Sequence, residues 1–420
     1  MSCFRSSFHV GVRLQPASRL YFVRSFSSVH DVVPNPITAP PPPAASVRSA
    51  KALSNALQAN APRNDWTKEE ISEIYNTPLI ELQYAAATIH RRFHSPSAIQ
   101  LCTLMNIKTG GCSEDCGYCA QSSKHNTGLK ATKMVTVQSV LDAAKIAKDN
   151  GSSRFCMGAA WRDMRGRKTN LKNIKDMVIG VRELGMEACV TLGMIDKYQA
   201  QELADAGLTA YNHNVDTSRE HYPNVITTRT YDERLATIQN VRDAGINVCS
   251  GGILGLGEAA HDHVGLIYTV STMESHPESF PVNALVPIKG TPIGDKLAAE
   301  EKEAIPFDAI VRTIATARLV MPGTIIRLAA GRNTMSEEKQ MLCFMAGANA
   351  VFTGEKMLTT DCNGWDEDAR LFKKWGLEPM GAREVPESQL PAEKKTLGVP
   401  LEQVAARSWK ETKGEVAATA

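Results

Sequence analysis

An α/β chain folded as a (β/α)8 TIM-type barrel is predicted by three observations on these 420 residues. From residue 96 to about 355, amphipathic helical runs end at a Gly and short apolar, β-rich runs follow, which is the alternation that builds a parallel sheet. Eight such strands can be read, enough to close a barrel. No Gly-x-Gly-x-x-Gly turn joins the first strand to its helix, as an open dinucleotide-binding sheet would require. Gly252, Gly255 and Gly257 have the wrong spacing and read as a flexible loop near the site.

Taken in order, residues 1–60 read as a mitochondrial presequence followed by a Pro-rich linker. Arg5, Arg13, Arg19, Arg24, Arg48 and Lys51 stand there against the single acid Asp31. There is no compact apolar core of the kind that directs secretion. A disordered basic arm touching nucleic acid is the alternative for this stretch. Without it the chain has 41 basic and 44 acidic residues, net −3, and no patch suited to nucleic acid. Pro34–Pro43 reads as a stiff linker unable to join a core.

Residues 61–95 are a helical extension. The barrel, 96–380, has strands expected at Ile99–Asn106, Arg154–Met157, Ala188–Leu192, Leu208–Asn212, Ile246–Ser250, Val282–Val286, Thr324–Leu328 and Asn349–Phe352. Its helices are expected at 137–149, 171–184, 196–205, 231–244, 259–273, 307–320 and 336–346, with Gly151, Gly185, Gly207, Gly245 and Gly347 at their C-caps. Residues 381–420 are Lys, Glu and Ala rich and read as a loosely ordered tail. No run approaches about 18 apolar residues, so no membrane partner is expected.

The cysteines carry the chemistry. A leader of this composition implies a reducing compartment, where metal or redox roles outrank disulfides. Cys112, Cys116 and Cys119 form a Cys-x-x-x-Cys-x-x-Cys loop directly after the first strand, hence at the C-terminal mouth of the barrel. Three thiolates are one too few for a closed tetrahedral site, but they hold a cubane iron–sulfur cluster with one iron open to an outside ligand. A zinc loop completed by a distant residue is the alternative. The spacing, with Tyr118 before the third Cys, resembles the signature of radical S-adenosylmethionine (SAM) enzymes, whose open iron binds the amino and carboxylate groups of SAM.

Cys156, Cys189 and Cys249 fall on the second, third and fifth strands. Singly each reads as core packing, but together they suit a second iron–sulfur centre. Cys102, within the first strand, and Cys343, in a helix, read as packing, and Cys362 has no assigned role. The runs Gly-Gly-Cys-Ser-Glu-Asp-Cys-Gly-Tyr-Cys-Ala-Gln-Ser-Ser, Arg-Phe-Cys-Met-Gly-Ala-Ala-Trp, Tyr-Asn-His-Asn-Val-Asp-Thr-Ser, Val-Cys-Ser-Gly-Gly-Ile-Leu-Gly-Leu-Gly-Glu and Arg-Leu-Ala-Ala-Gly-Arg resemble those of the biotin synthase family over roughly residues 65 to 380.

That resemblance implies a [4Fe-4S] cluster on Cys112, Cys116 and Cys119 and a [2Fe-2S] cluster on Cys156, Cys189, Cys249 and Arg327. The arginine would not be chosen on general grounds, since a guanidinium has no lone pair to offer. The implied reaction is reductive cleavage of SAM to a 5′-deoxyadenosyl radical, hydrogen removal at two saturated carbons of dethiobiotin, and transfer of sulfur from the second cluster. Asn212, Asn214 and Asp216, just at and beyond the fourth strand, read as ligands of a cyclic urea and of ribose hydroxyls, with turn chemistry as the alternative. The resemblance adds Asn283 for the ureido ring, Thr359 and Thr360 for the substrate carboxylate, Tyr118 against the adenine, and backbone near Ala159 and Trp161 for the methionyl end. It implies an electron donor of ferredoxin or flavodoxin type, iron–sulfur assembly machinery, a homodimer and the mitochondrial matrix. Competing readings are a single-cluster radical SAM barrel acting on another small molecule and a non-enzymatic iron–sulfur or zinc scaffold.

Overall fold

The computed structural model describes residues 44–59, 61–357 and 359–382. The stretch before Ala44, in which the presequence and the Pro34–Pro43 linker are expected, and the expected tail after Ala382 lie outside the described residues.

Among the described residues three helices precede the barrel: α1 (Ala44–Gln58), α2 (Lys68–Tyr75) and α3 (Leu79–Phe93). The barrel runs β1 (Ala98–Lys108), α4 (Val137–Asp149), β2 (Arg154–Ala159), α5 (Lys168–Glu183), β3 (Glu187–Thr191), α6 (Lys197–Asp205), β4 (Ala210–Asn212), α7 (Tyr231–Asp243), β5 (Asn247–Cys249), β6 (Gly252–Leu254), α8 (Ala260–Ser271), β7 (Ser279–Ala284), α9 (Pro292–Ala299), α10 (Phe307–Val320), β8 (Ile325–Leu328), α11 (Glu337–Met345) and β9 (Ala350–Phe352). A hairpin of β10 (Lys356–Met357) and β11 (Thr360–Asp361), then α12 (Trp365–Trp375) and β12 (Glu378–Pro379), complete the described chain.

The sheet is parallel in the order β1-β2-β3-β4-β5-β7-β8-β9, and β9 pairs back onto β1 through Gln100↔Ala350, closing a (β/α)8 barrel. Helix starts follow the side-chain chemistry: Thr67, Asp196 and Thr230 each accept a backbone N–H while Glu70, Gln199 and Glu233 reach back, forming capping boxes that satisfy otherwise orphaned donors.

The expected boundaries hold closely for α4, α7, α10 and β2, and four features differ. The sixth strand, expected at Val282–Val286, begins earlier, at Ser279, and contains Pro281, a residue whose missing N–H usually bars it from a central strand. The fifth stave is interrupted: β5 meets β7 only at Cys249↔Ser279, and the chain resumes as β6, paired to β7 with Ile253 opposite Asn283. Gly251 lies at the break, where a Cβ would come within 2.1 Å of the Pro281 carbonyl oxygen, so no larger residue fits. The Gly252–Leu254 segment is therefore strand rather than flexible loop.

Two helices, α9 and α12, had no sequence expectation. Arg332 and Asp368, both buried, form an ion pair that ties α12 to the segment after β8. The fourth difference is α1, which falls within the stretch read as presequence and linker yet buries Ala52, Leu53 and Ala56 against α2, α3 and α10. Truncating Leu53 to Ala is expected to cost about 2–4 kcal/mol, visible as a lower denaturant midpoint; an unchanged midpoint would show that α1 contributes nothing to the folded unit.

The interior of this barrel is unusual. Such cores are ordinarily filled by branched aliphatic side chains, and the apolar residues here lie mainly between sheet and helices. Inside are Gln100, Cys102, Arg154, Cys156, Glu187, Cys189, Ser279 and Arg327, all buried. Buried polar groups of this density need mutual hydrogen bonds, and their arrangement defines the site.

Candidate active site

The Cys112–Cys119 loop leaves β1 at the C-terminal mouth through Gly110 and Gly111, both at positive φ, where residues with a Cβ are disfavoured. The loop is fixed by backbone bonds from Cys112 N–H to the Gln121 carbonyl (3.0 Å), Ser123 N–H to the Cys112 carbonyl (2.7 Å) and Cys119 N–H to the Cys116 carbonyl (3.0 Å). Asp115 anchors it from outside: its carboxylate accepts the N–H and hydroxyl of both Thr227 and Thr228, and these bonds hold the carboxyl down to about 2 despite partial burial. Gly117 is pinned between the Val225 carbonyl (2.9 Å) and the N–H of Ile293 (3.0 Å). Burial raises all three thiols, Cys119 to about 11, so loading iron must displace protons. Asp115→Ala should leave the fold intact yet release iron to a chelator roughly tenfold faster, the effect of about 1.4 kcal/mol; equal release rates would remove Asp115 from the account.

From that loop a hydrogen-bonded path runs into the barrel. The Tyr118 hydroxyl donates to Asp216 at 3.0 Å. Asp216 is buried and adopts φ 69°, an uncommon conformation for a residue with a Cβ and one that concentrates at functional sites. Arg234, also buried, pairs with the Asp216 carboxylate and donates to the Asn214 carbonyl oxygen and the Tyr222 hydroxyl. Sequence reasoning missed Arg234, which sits inside α7 with nothing in its immediate neighbours to single it out. The Asn212 amide continues the path to the Asn214 side chain (3.2 Å), the Cys249 carbonyl (3.2 Å) and the Cys249 sulfur (3.4 Å).

Beneath this lie the interior thiols. Cys156 and Cys189 are register partners on β2 and β3, and Cys249 pairs across to Asn212 on β4. Arg327 projects from β8 and donates to Gln100 Oε1 (2.7 Å), weakly to Ser279 (3.4 Å), and to the sulfur of Cys102. Cys102 is thus no ordinary packing residue: it lies with Cys156 and Cys189 on the inner face. Burial opposes its ionisation, but its neighbour Cys156 and the charge of Arg327 outweigh it and bring the thiol below its ordinary range. The cue in the sequence was the period of two in β1, which puts Cys102 on the same face as the buried amide Gln100.

Asn283, half-buried on β7, donates to the Gly252 carbonyl (2.9 Å) and accepts from Ala330 N–H (3.2 Å). Ala159 ends β2, and buried Trp161 follows with Arg167 stacked 4.9 Å from its ring. Thr359 and Thr360 lie on the hairpin after β9, where Thr359 is exposed. Cys343 is buried on α11 and Cys362 donates to the Phe352 carbonyl, apart from the interior thiols.

Among the described residues no group of three or more His, Cys, Asp and Glu side chains converges tightly enough to hold a single metal ion. A cluster distributes its thiolates over several irons and so spaces them more widely. The donor chemistry fits iron–sulfur at both places: three thiols on one tight loop, and three more around a buried guanidinium. No helix among the described residues is long and apolar enough to cross a membrane.

A closed parallel barrel with a three-cysteine loop at its mouth defines a radical SAM enzyme, and residues 106–267 match the model of the Radical SAM superfamily. That class carries a [4Fe-4S] cluster and uses SAM. Residues 281–378 match the Biotin and Thiamin Synthesis associated domain. The chain is 67% identical over 359 residues to the mitochondrial biotin synthase of Emericella nidulans, covering 86% of this chain and 88% of that protein. It is 63% identical to the mitochondrial biotin synthase of Saccharomyces cerevisiae, covering 79% and 88%, and 55% identical to that of Arabidopsis thaliana, covering 80% and 87%. The chain belongs to the biotin synthase family, radical SAM enzymes that insert sulfur. Among solved structures, the [FeFe]-hydrogenase maturase HydG (TM-score 0.69, 18% identity, 80% of this chain and 76% of that chain) and methylornithine synthase (0.64, 15%, 78% and 97%) share the fold.

Proposed function

We propose that this chain converts dethiobiotin to biotin with two iron–sulfur centres in one barrel: a [4Fe-4S] cluster on Cys112, Cys116 and Cys119, and a [2Fe-2S] cluster on Cys156, Cys189, Cys249 and Arg327. The observation that carries this reading is the continuous path Tyr118–Asp216–Arg234–Asn214–Asn212–Cys249, which links the mouth loop to the interior thiols. When bound, the clusters and SAM supply the hydrogen-abstracting radical and the sulfur.

The protein's part is to bind, orient and exclude water. Tyr118, its hydroxyl held by Asp216, would take the adenine; Asp216 and Asn214, both fixed by Arg234, would take the ribose; backbone at Ala159 and Trp161 would take the methionyl end. Asn212, Asn214 and Asn283 would read the ureido ring, and the Asn212 amide that donates to the Cys249 sulfur supports this reading. Thr359 and Thr360 take the substrate carboxylate. Two saturated carbons are thereby held between the centres, where a buried setting keeps a reactive radical from solvent.

The same reading includes a one-electron donor of ferredoxin or flavodoxin type, rebuilding by iron–sulfur assembly machinery, a homodimer, and the mitochondrial matrix, with the targeting segment lying before Ala44. Iron and sulfide counting on anaerobically reconstituted protein tests the two-centre claim. Two spectroscopically distinct clusters are expected, whereas a chain that never holds more than one cubane belongs to a single-cluster radical SAM chemistry on another small molecule.

A further inference from the structure

The interior holds four thiols where the proposed centre uses three. Cys102 is fully buried, its sulfur contacted by the Arg327 guanidinium, whose other branch is held by Gln100. Its neighbours in register reinforce the placement: Cys102 stands opposite Arg154 on β2 and Phe352 on β9, and Arg327 lies over the Phe352 ring at 5.1 Å. Arg327 and Cys102 therefore stand side by side inside the barrel.

Thiolate is a far better iron ligand than a guanidine, which can bind only after losing its proton. Yet the thiol is within hydrogen-bonding reach of the very group that would hold the fourth position. We infer that Cys102 is a reserve ligand of the interior centre, able to replace Arg327 on its iron. The exchange balances: the Cys102 thiol gives up a proton as the iron–sulfur bond forms, the departing guanidine regains one, and no electron moves. Such a partner would keep the iron held by protein when a bridging sulfide has left, an interval that three fixed thiolates and one weak ligand would survive poorly.

This inference rests on the two-centre reading, and the test separates the two. Arg327→Ala, Cys102→Ala and the double variant are reconstituted anaerobically, and iron, sulfide, absorption and the EPR of the reduced protein are recorded, with the mouth cluster as the internal control of folding. Arg327→Ala is expected to keep an interior [2Fe-2S] centre with a spectrum shifted to that of all-thiolate ligation; the double variant is expected to lose that centre and keep the mouth cluster. Identical interior-centre content and spectra in Arg327→Ala and the double variant would overturn the inference, as would loss of the centre in Arg327→Ala alone. A wild-type chain without a second cluster would instead overturn the two-centre reading itself.

Discussion

Alanine at Cys116 is expected to reduce 5′-deoxyadenosine formation by at least about 1,000-fold, roughly 4 kcal/mol on the barrier. Two thiolates cannot hold a cubane with a single open iron, so the loss falls on SAM cleavage itself rather than on substrate binding. The surrounding loop is secured by Gly117, Asp115 and the Cys112–Gln121 bond, so the variant should fold and keep the proposed interior centre. Residual cleavage within tenfold of wild type would show that Cys116 is not a ligand.

Alanine at Cys249 has the opposite signature. SAM cleavage should persist within about threefold, because Cys249 is joined to the mouth loop through a chain of side chains that begins with the Asn212 amide, a bond that contributes about 1 kcal/mol, while biotin formation should fall to background. Cys249 sits at the one point where β5 meets β7 and accepts the Asn212 amide, so its loss removes both a proposed sulfur-centre ligand and the anchor of a proposed substrate ligand. Full biotin formation by this variant would end the sulfur-donor assignment.

The fold was legible because period and punctuation agree. Helices α4 and α7 begin at Thr caps and end just before Gly151 and Gly245, and the eight strands fall in the expected order. Where the prediction slipped, a local rule was overridden by packing. Pro281 sits inside β7 because the neighbouring stave is broken at Gly251, and α1 forms because Leu53 finds a pocket against α2, α3 and α10, which no pattern within 1–60 announces.

The cysteine loop was legible for a different reason: its spacing is short, so the sequence holds the geometry. The interior site is assembled from β1, β2, β3, β5 and β8, and only closure of the barrel brings Cys102 to Arg327, residues 225 apart in the chain. Arg234 is hidden in the same way, since its partners Asp216 and Asn214 lie on the preceding loop.

The central claim is that one barrel joins a radical source at its mouth to a sulfur source in its interior. Its most direct test is an anaerobic single turnover with dethiobiotin, SAM and reductant, using protein whose clusters were rebuilt with isotopically heavy sulfide, followed by mass spectrometry. The account predicts 5′-deoxyadenosine together with biotin carrying the heavy sulfur. Deoxyadenosine without biotin, in protein shown to hold both clusters, or biotin carrying only light sulfur, would contradict it.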